Sequence, residues 1–354
     1  MKFSRITFLA TLLLTAPAAA QLQITPPAAT PSPSAEKQKP KAAPHTITKK
    51  KEAAPAPKPS ASPSPAATVI PAPPTDNSNV DLVFGAYQRG QYKTAFELAT
   101  ARAKTGDPKA MTMLGELYSN AMGIRRDYAK AVEWYKRASD AGDREAMFAL
   151  AMLRMAGRGS PIDKGDAVKL MASAAKLGEP KAAYNLALLY LDGQTLPQDV
   201  KRSAELLRQA ADAGLPEAQY ALATFYKEGS GVPKDPDKAV RLLQAASLAD
   251  NVDAEVEYAI AMFNGTGTPK NQPAAVALLR KASRQGSAIA QNRLAWVLIN
   301  GMGATADKVE GFKWHLVAKT AGKGDPELDK QLADLPADDR AKAEAAARKW
   351  LGTK

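Results

Sequence analysis

Small and apolar residues in this chain fall into stripes that return every 36 residues. Ala110, Ala146, Ala182, Ala218, Ala254 and Ala290 open the first stripe of each unit. Four residues on stands a leucine (Leu114, Leu150, Leu186, Leu222 and Leu294, with Tyr258 the exception), followed by a small residue at Gly115, Ala151, Ala187, Ala223, Ala259 or Ala295. Steps of three and four place these on one face of a helix. A small residue there lets a second helix axis come close, and the leucine fills the space beside it. A second stripe follows in each unit. It runs from pairs such as Ala131-Val132 and Ala167-Val168, through Trp134, Leu170, Leu206, Leu242, Leu278 and Trp314, to Ala138, Ala174, Ala210, Ala246, Ala282 and Ala318. Polar punctuation separates the stripes. Gly157, Gly193, Gly229, Gly265 and Gly301 suit the left-handed end of a first helix, and Asp127, Asp163, Asp199, Asp235, Asn271 and Asp307 suit the cap of a second. Gly106, Gly142, Gly178, Gly214, Asp250, Gly286 and Gly322 close the units without an insertion or deletion.

Self-similarity at this period predicts an array of stacked helical hairpins, each touching only its neighbours. The run A-x-Y-x-L-A-x-x-Y-x-x-G-x-G, then D-x-x-x-A-V-x-L-L-x-x-A-A-x-x-G, resembles the Sel-one-like repeat (SLR) of the tetratricopeptide-like superfamily. Ala182-Ala-Tyr184-Asn-Leu186 and Ala218-Gln-Tyr220-Ala-Leu222 match it best. The resemblance implies an all-α, right-handed α-solenoid of helix-turn-helix repeats. Six units cover 107–322, and 80–106 reads as a tetratricopeptide-like capping hairpin around Gly90. Residues 323–354 read as C-terminal capping helices, Pro326–Ala333 and Pro336–Trp350. In the second of these acids come first and bases last, which suits the helix dipole.

Before the array lie two segments of other composition. Lys2 and Arg5, an apolar run from Ile6 to Ala16, and Ala18-Ala19-Ala20 read as a secretory signal cleaved after Ala20. The alternative is an uncleaved anchor or a buried helix, although the run is short for a bilayer. Cleavage of that signal gives an expected periplasmic location, with no span expected in the mature chain. Residues 21–79 are rich in Pro, Ala, Ser and Lys and read as a disordered linker. A solvated spacer is the simpler reading, and a basic tether touching anionic cell-wall polymer or lipid is the other.

Charge and chemistry narrow the function. The net charge is +12, of which the signal carries +2 and the linker +4, leaving +6 on the array. Export argues against nucleic acid, and no basic helix face interleaved with aromatics is found. There is no cysteine, so disulfides and thiol chemistry are absent. Some family members with cysteine-bridged repeats are linked to β-lactam binding or hydrolysis, and this chain lacks the residues that would carry that over. His45 lies in the linker, and His315 falls in an apolar phase where a packed residue is expected. No metal, cofactor or catalytic residue is expected, and the chain reads as a non-catalytic scaffold.

The resemblance implies that the first helices line a concave groove. The phase set by Leu186 and Ala187 then directs four rows inward. Candidate partner-binding residues are Phe148, Tyr184 and Tyr220 in the first row, and Met152, Leu188, Thr224, Ile260 and Trp296 in the second. Met155, Leu191, Lys227, Phe263 and Ile299 form the third, with Asn264 and Asn300 in the fourth. A partly exposed apolar run rimmed by amides and acids suits a protein or peptide partner. The tyrosines are also part of the repeat pattern and can be read as packing. Trp296 is the expected anchor. Contact with peptidoglycan or glycan through the tether and basic loops is the alternative.

Overall fold

The structure is a computed structural model describing residues 81–352; the expected signal and linker lie outside the described residues. The described residues form helices and no strand. A short hairpin, α1 (Leu82–Gln88) and α2 (Tyr92–Ala103), opens the array. The first helices of the six units are α3 (Pro108–Asn120), α5 (Arg144–Ala156), α7 (Pro180–Asp192), α9 (Pro216–Glu228), α11 (Val252–Asn264) and α13 (Ala288–Ile299). Their partners are α4 (Tyr128–Asp140), α6 (Lys164–Lys176), α8 (Val200–Asp212), α10 (Pro236–Leu248), α12 (Gln272–Arg284) and α14 (Lys308–Thr320). Two helices follow, α15 (Pro326–Ala333) and α16 (Ala337–Gly352). From α1 to α14 each helix packs chiefly on the one before it and the one after it, whereas α15 and α16 both return to α14. Nearest-neighbour packing of this kind defines an α-solenoid.

Local chemistry explains the boundaries. Each of Asp127, Asp163, Asp199, Asp235, Asn271 and Asp307 accepts a hydrogen bond from the backbone N–H three residues on. That satisfies one donor the first helical turn leaves free. Pro108, Pro180 and Pro216 stand at the start of first helices, where no N–H is missed. The glycine in the middle of five of the six turns (Gly123, Gly159, Gly231, Gly267 and Gly303, with Thr195 in the third) has a separate role. A Cβ on Gly231 or Gly267 would lie 2.6 Å from the Val200 or Pro236 carbonyl oxygen of the preceding unit. These turns therefore lie flush on the start of the previous second helix, and a side chain would hold them apart. Two units break the glycine pattern and keep the backbone, with Ala121 at φ 57° and Asp250 at φ 59°.

The first stripe and the alanines of the second are the core, whereas Trp134, Leu170, Leu242 and Leu278 are only half-buried and the buried large side chain lies one residue on, at Tyr135, Met171, Leu243 and Leu279. The alanines that open and close each unit are buried, as are Leu114, Leu150, Leu186, Leu222 and Leu294. Two glycines show compensation between facing helices. Gly115 stands where other units have alanine, because a Cβ there would lie 2.6 Å from the Tyr135 ring. A Cβ on Gly311 would lie 2.6 Å from Cγ1 of Ile299.

Candidate functional site

Every candidate residue from the sequence lies on or at the end of a first helix, but they are not equally accessible. Phe148, Met152, Met155, Tyr184, Leu191 and Tyr220 are half-buried and pack in part against the core. Thr224, Lys227, Ile260 and Trp296 are also half-buried, and Asn264 and Asn300 are exposed. A stripe of partly open apolar and aromatic groups thus runs across consecutive first helices, from α5 to α13. It is broken in three places. Leu188, Phe263 and Ile299 are only 8%, 5% and 6% exposed and act as packing residues, correcting their assignment to the open face. For Ile299 the cause is direct: it fills the space that Gly311 leaves on α14.

The open part of the face is electrostatically tuned by the following unit. Tyr184 and Tyr220 sit one period apart, and Glu217 and Asp253 each follow a tyrosine by 33 residues. Burial and the Glu217 carboxylate push the Tyr184 phenol up. Burial, then Glu257 and Asp253, push Tyr220 up to about 12. Both phenols are therefore neutral donors near pH 7. Glu257 is itself tied down, its Oε2 lying 2.6 Å from Nζ of Lys227. Thr224 donates its hydroxyl to the Tyr220 carbonyl at 3.3 Å, so its polar group is turned to its own helix. These acids were not singled out from the sequence, although the shared offset of 33 residues would have shown Glu217 and Asp253; Glu257, 37 residues after Tyr220, has no such signal.

At the far end of the stripe the structure changes the role of Trp296. Its indole N–H donates to Oδ2 of Asp325 at 2.9 Å. The other oxygen, Oδ1, caps α15 by accepting from the Glu327 and Leu328 backbone N–H groups. Trp296 is thus a half-open ring anchored to the C-terminal segment. Asn300 donates to the Trp296 carbonyl at 2.8 Å and finishes its own helix. His315 is fully buried and its Nε2 lies 2.8 Å from Oδ1 of Asp329 on α15. It is a packed residue, as its apolar phase implied. Among the described residues no group of three or more His, Cys, Asp or Glu could hold a metal ion, and no helix is long and apolar enough to cross a membrane.

The arrangement offers a polar-rimmed apolar surface with two neutral phenols and the Glu217, Asp253 and Glu257 carboxylates near them, of which Glu257 is held by Lys227. Comparison with known proteins bears on it. The sequence profile of the Sel1 repeat matches six consecutive segments, 108–143, 144–179, 180–215, 216–251, 252–287 and 288–323. Among solved structures the chain is similar to c5321, a protective antigen present in uropathogenic Escherichia coli strains and displaying an SLR fold. The two share 25% identity and a TM-score of 0.65 over 75% of this chain, and the match spans 58% of the length of c5321. A Sel1 repeat protein from Oxalobacter formigenes is also similar in fold, at 23% identity, with a TM-score of 0.57, over 67% of this chain and 94% of that one. No curated protein matches.

Proposed function

The chain belongs to the Sel1 repeat family, whose fold is commonly a protein-interaction scaffold, and on that premise we propose that it is an exported, non-catalytic adaptor. It binds a segment of a partner protein along the exposed face of its first helices. The observation that carries this reading is the half-open stripe of Phe148, Met152, Tyr184, Tyr220, Ile260 and Trp296 on successive helices. Aromatic side chains give large contact area at low entropy cost and dominate interface energies. Glu217, Asp253 and Glu257 beside the two tyrosines favour a segment in which Lys or Arg stands next to apolar residues. Export rests on the basic start, apolar run and Ala18-Ala19-Ala20 of the N-terminus. Peptidoglycan contact through the linker gains no support, since the linker lies outside the described residues.

The test is a comparison of wild type with a Tyr184→Ala/Tyr220→Ala variant carrying the same affinity tag, each expressed in a Gram-negative host and recovered from the periplasm. The proposal expects a co-purifying protein in stoichiometric amount with wild type that is lost with the variant. Fractionation that leaves the chain in the cytoplasm with residues 1–20 attached would refute export. A partner retained equally by both proteins would refute the face.

A further inference from the structure

The first two inter-helix turns carry residues that the repeat itself does not require. Arg125 stands where the next four units have Pro161, Pro197, Pro233 and Pro269. Tyr128 opens α4 where the later second helices begin with Lys164, Val200, Pro236, Gln272 and Lys308. The close seating of turn on helix brings them together. A Cβ on Gly159 would lie 2.9 Å from the Ala129 nitrogen, so the second turn rests directly on the start of α4. Arg126 of the first turn and Arg158 of the second then reach the same ring. Their guanidinium carbons lie 5.8 and 5.6 Å from the Tyr128 centroid.

Arg125, Arg126 and Arg158 are exposed. Arg102, Arg144, Arg154, Arg202 and Arg280 each meet a carboxylate; among the described residues these three meet none. The acids nearby are already engaged. Asp127 caps α4 through the Lys130 backbone N–H and faces the Lys130 ammonium at 3.8 Å. Asp163 caps α6 through the Asp166 N–H, and Asp166 pairs with Arg154. Ile162, in the same turn as Arg158, is 64% exposed and occupies the position that Arg126 holds one unit earlier.

We propose that this edge of the array is a second binding surface, which takes an acidic segment of a partner protein. Arg125, Arg126 and Arg158 hold its carboxylates and Ile162 meets an apolar residue beside them. The planar guanidinium fork matches a carboxylate. Stacking on Tyr128 holds two of the forks in place before the partner arrives, which lowers the entropy lost on binding. The exposed isoleucine among the arginines favours a peptide over a phosphate polymer, which has no apolar group to cover it. The surface is on the turns rather than on the open face of the first helices, so this proposal stands apart from the one above.

Fluorescence anisotropy on the full chain tests it, with a fluorescein-labelled peptide of alternating Glu and Leu as probe. Wild type should bind it, more weakly as salt rises. Arg126→Gln/Arg158→Gln should weaken binding at least tenfold, and Arg126→Lys/Arg158→Lys, which keeps the charge but not the fork, should fall between. Lys234→Gln/Lys270→Gln, in later turns of the same array, should bind as wild type does. Circular dichroism melts confirm that these surface variants remain folded. No binding by wild type, or equal binding by Arg126→Gln/Arg158→Gln, would overturn the proposal. So would arginine-dependent binding of polyphosphate or phosphatidylglycerol vesicles where the Glu/Leu peptide is not bound.

Discussion

Replacing Trp296 separates two roles that one side chain can play. In the structure its indole N–H donates to Asp325 at 2.9 Å, and the same carboxylate caps α15. A hydrogen bond to a charged group contributes about 1.5–3 kcal/mol when buried. Trp296 is half-buried, so solvent competes and about 1 kcal/mol is the reasonable figure here. Trp296→Phe keeps an aromatic ring and removes the donor. Asp325→Asn keeps the capping oxygen and turns an amide toward the indole. In a double-mutant cycle the two should couple by about 1 kcal/mol. The assay is native-state hydrogen exchange at the α15 amides, because a repeat array need not unfold as one unit and a terminal helix opens locally. Trp296→Phe should speed exchange in α15 by about fivefold, leave α7 and α9 unchanged, and reduce partner affinity only slightly. Unchanged α15 exchange, with partner binding lost, would refute this reasoning and return Trp296 to the role of a free anchor.

Three further outcomes follow from the backbone and the charges. Gly159→Ala puts a methyl against the Tyr128 and Ala129 backbone at φ 76°, and should cost about 3 kcal/mol or more, read as urea unfolding of the full chain. Ala121→Gly should stabilise by about 0.5–1 kcal/mol, since the left-handed penalty of alanine exceeds the added freedom of the unfolded chain; a lower midpoint would refute the left-handed assignment. For Glu310, burial pushes the carboxyl up, but the Arg280 guanidinium at 2.6 and 2.7 Å and the Trp314 indole N–H outweigh it and hold the group below its usual range. A group depressed in this way stabilises fully above its unfolded value and loses that contribution as pH falls through the folded one. Glu310→Gln should therefore cost about 1–2 kcal/mol near pH 7, and the gap to wild type should close below about pH 4; a gap that persists in acid would refute it.

The fold was legible because the period repeats the same local rules many times. One Asp before a helix is weak evidence, but Asp127, Asp163, Asp199 and Asp235 in phase identify a cap, and the structure shows each one accepting the expected N–H. The period was less informative where a unit departs from it. Ile299 looked open because its row holds Met155, Leu191 and Lys227. Its burial depends on Gly311, which stands where other units have Ala131, Ala167 or Ser203. Reading the two departures as a pair would have found the contact. Trp296 and His315 were harder. Their partners, Asp325 and Asp329, lie in and beside α15, where the period no longer predicts what packs on what. The stacking of Arg126 and Arg158 on Tyr128 likewise needs the depth at which one turn sits on the previous helix.

The central claim is that the first helices present the partner-binding face. Site-specific photocrosslinking tests it most directly, with a benzophenone amino acid placed singly at Tyr184, Tyr220 or Ile260 on that face, and at Lys201 or Arg241 on the second helices. The account predicts one common protein adduct from the first three positions and none from the other two. Adducts from Lys201 and Arg241, with none from Tyr184, Tyr220 and Ile260, would contradict it.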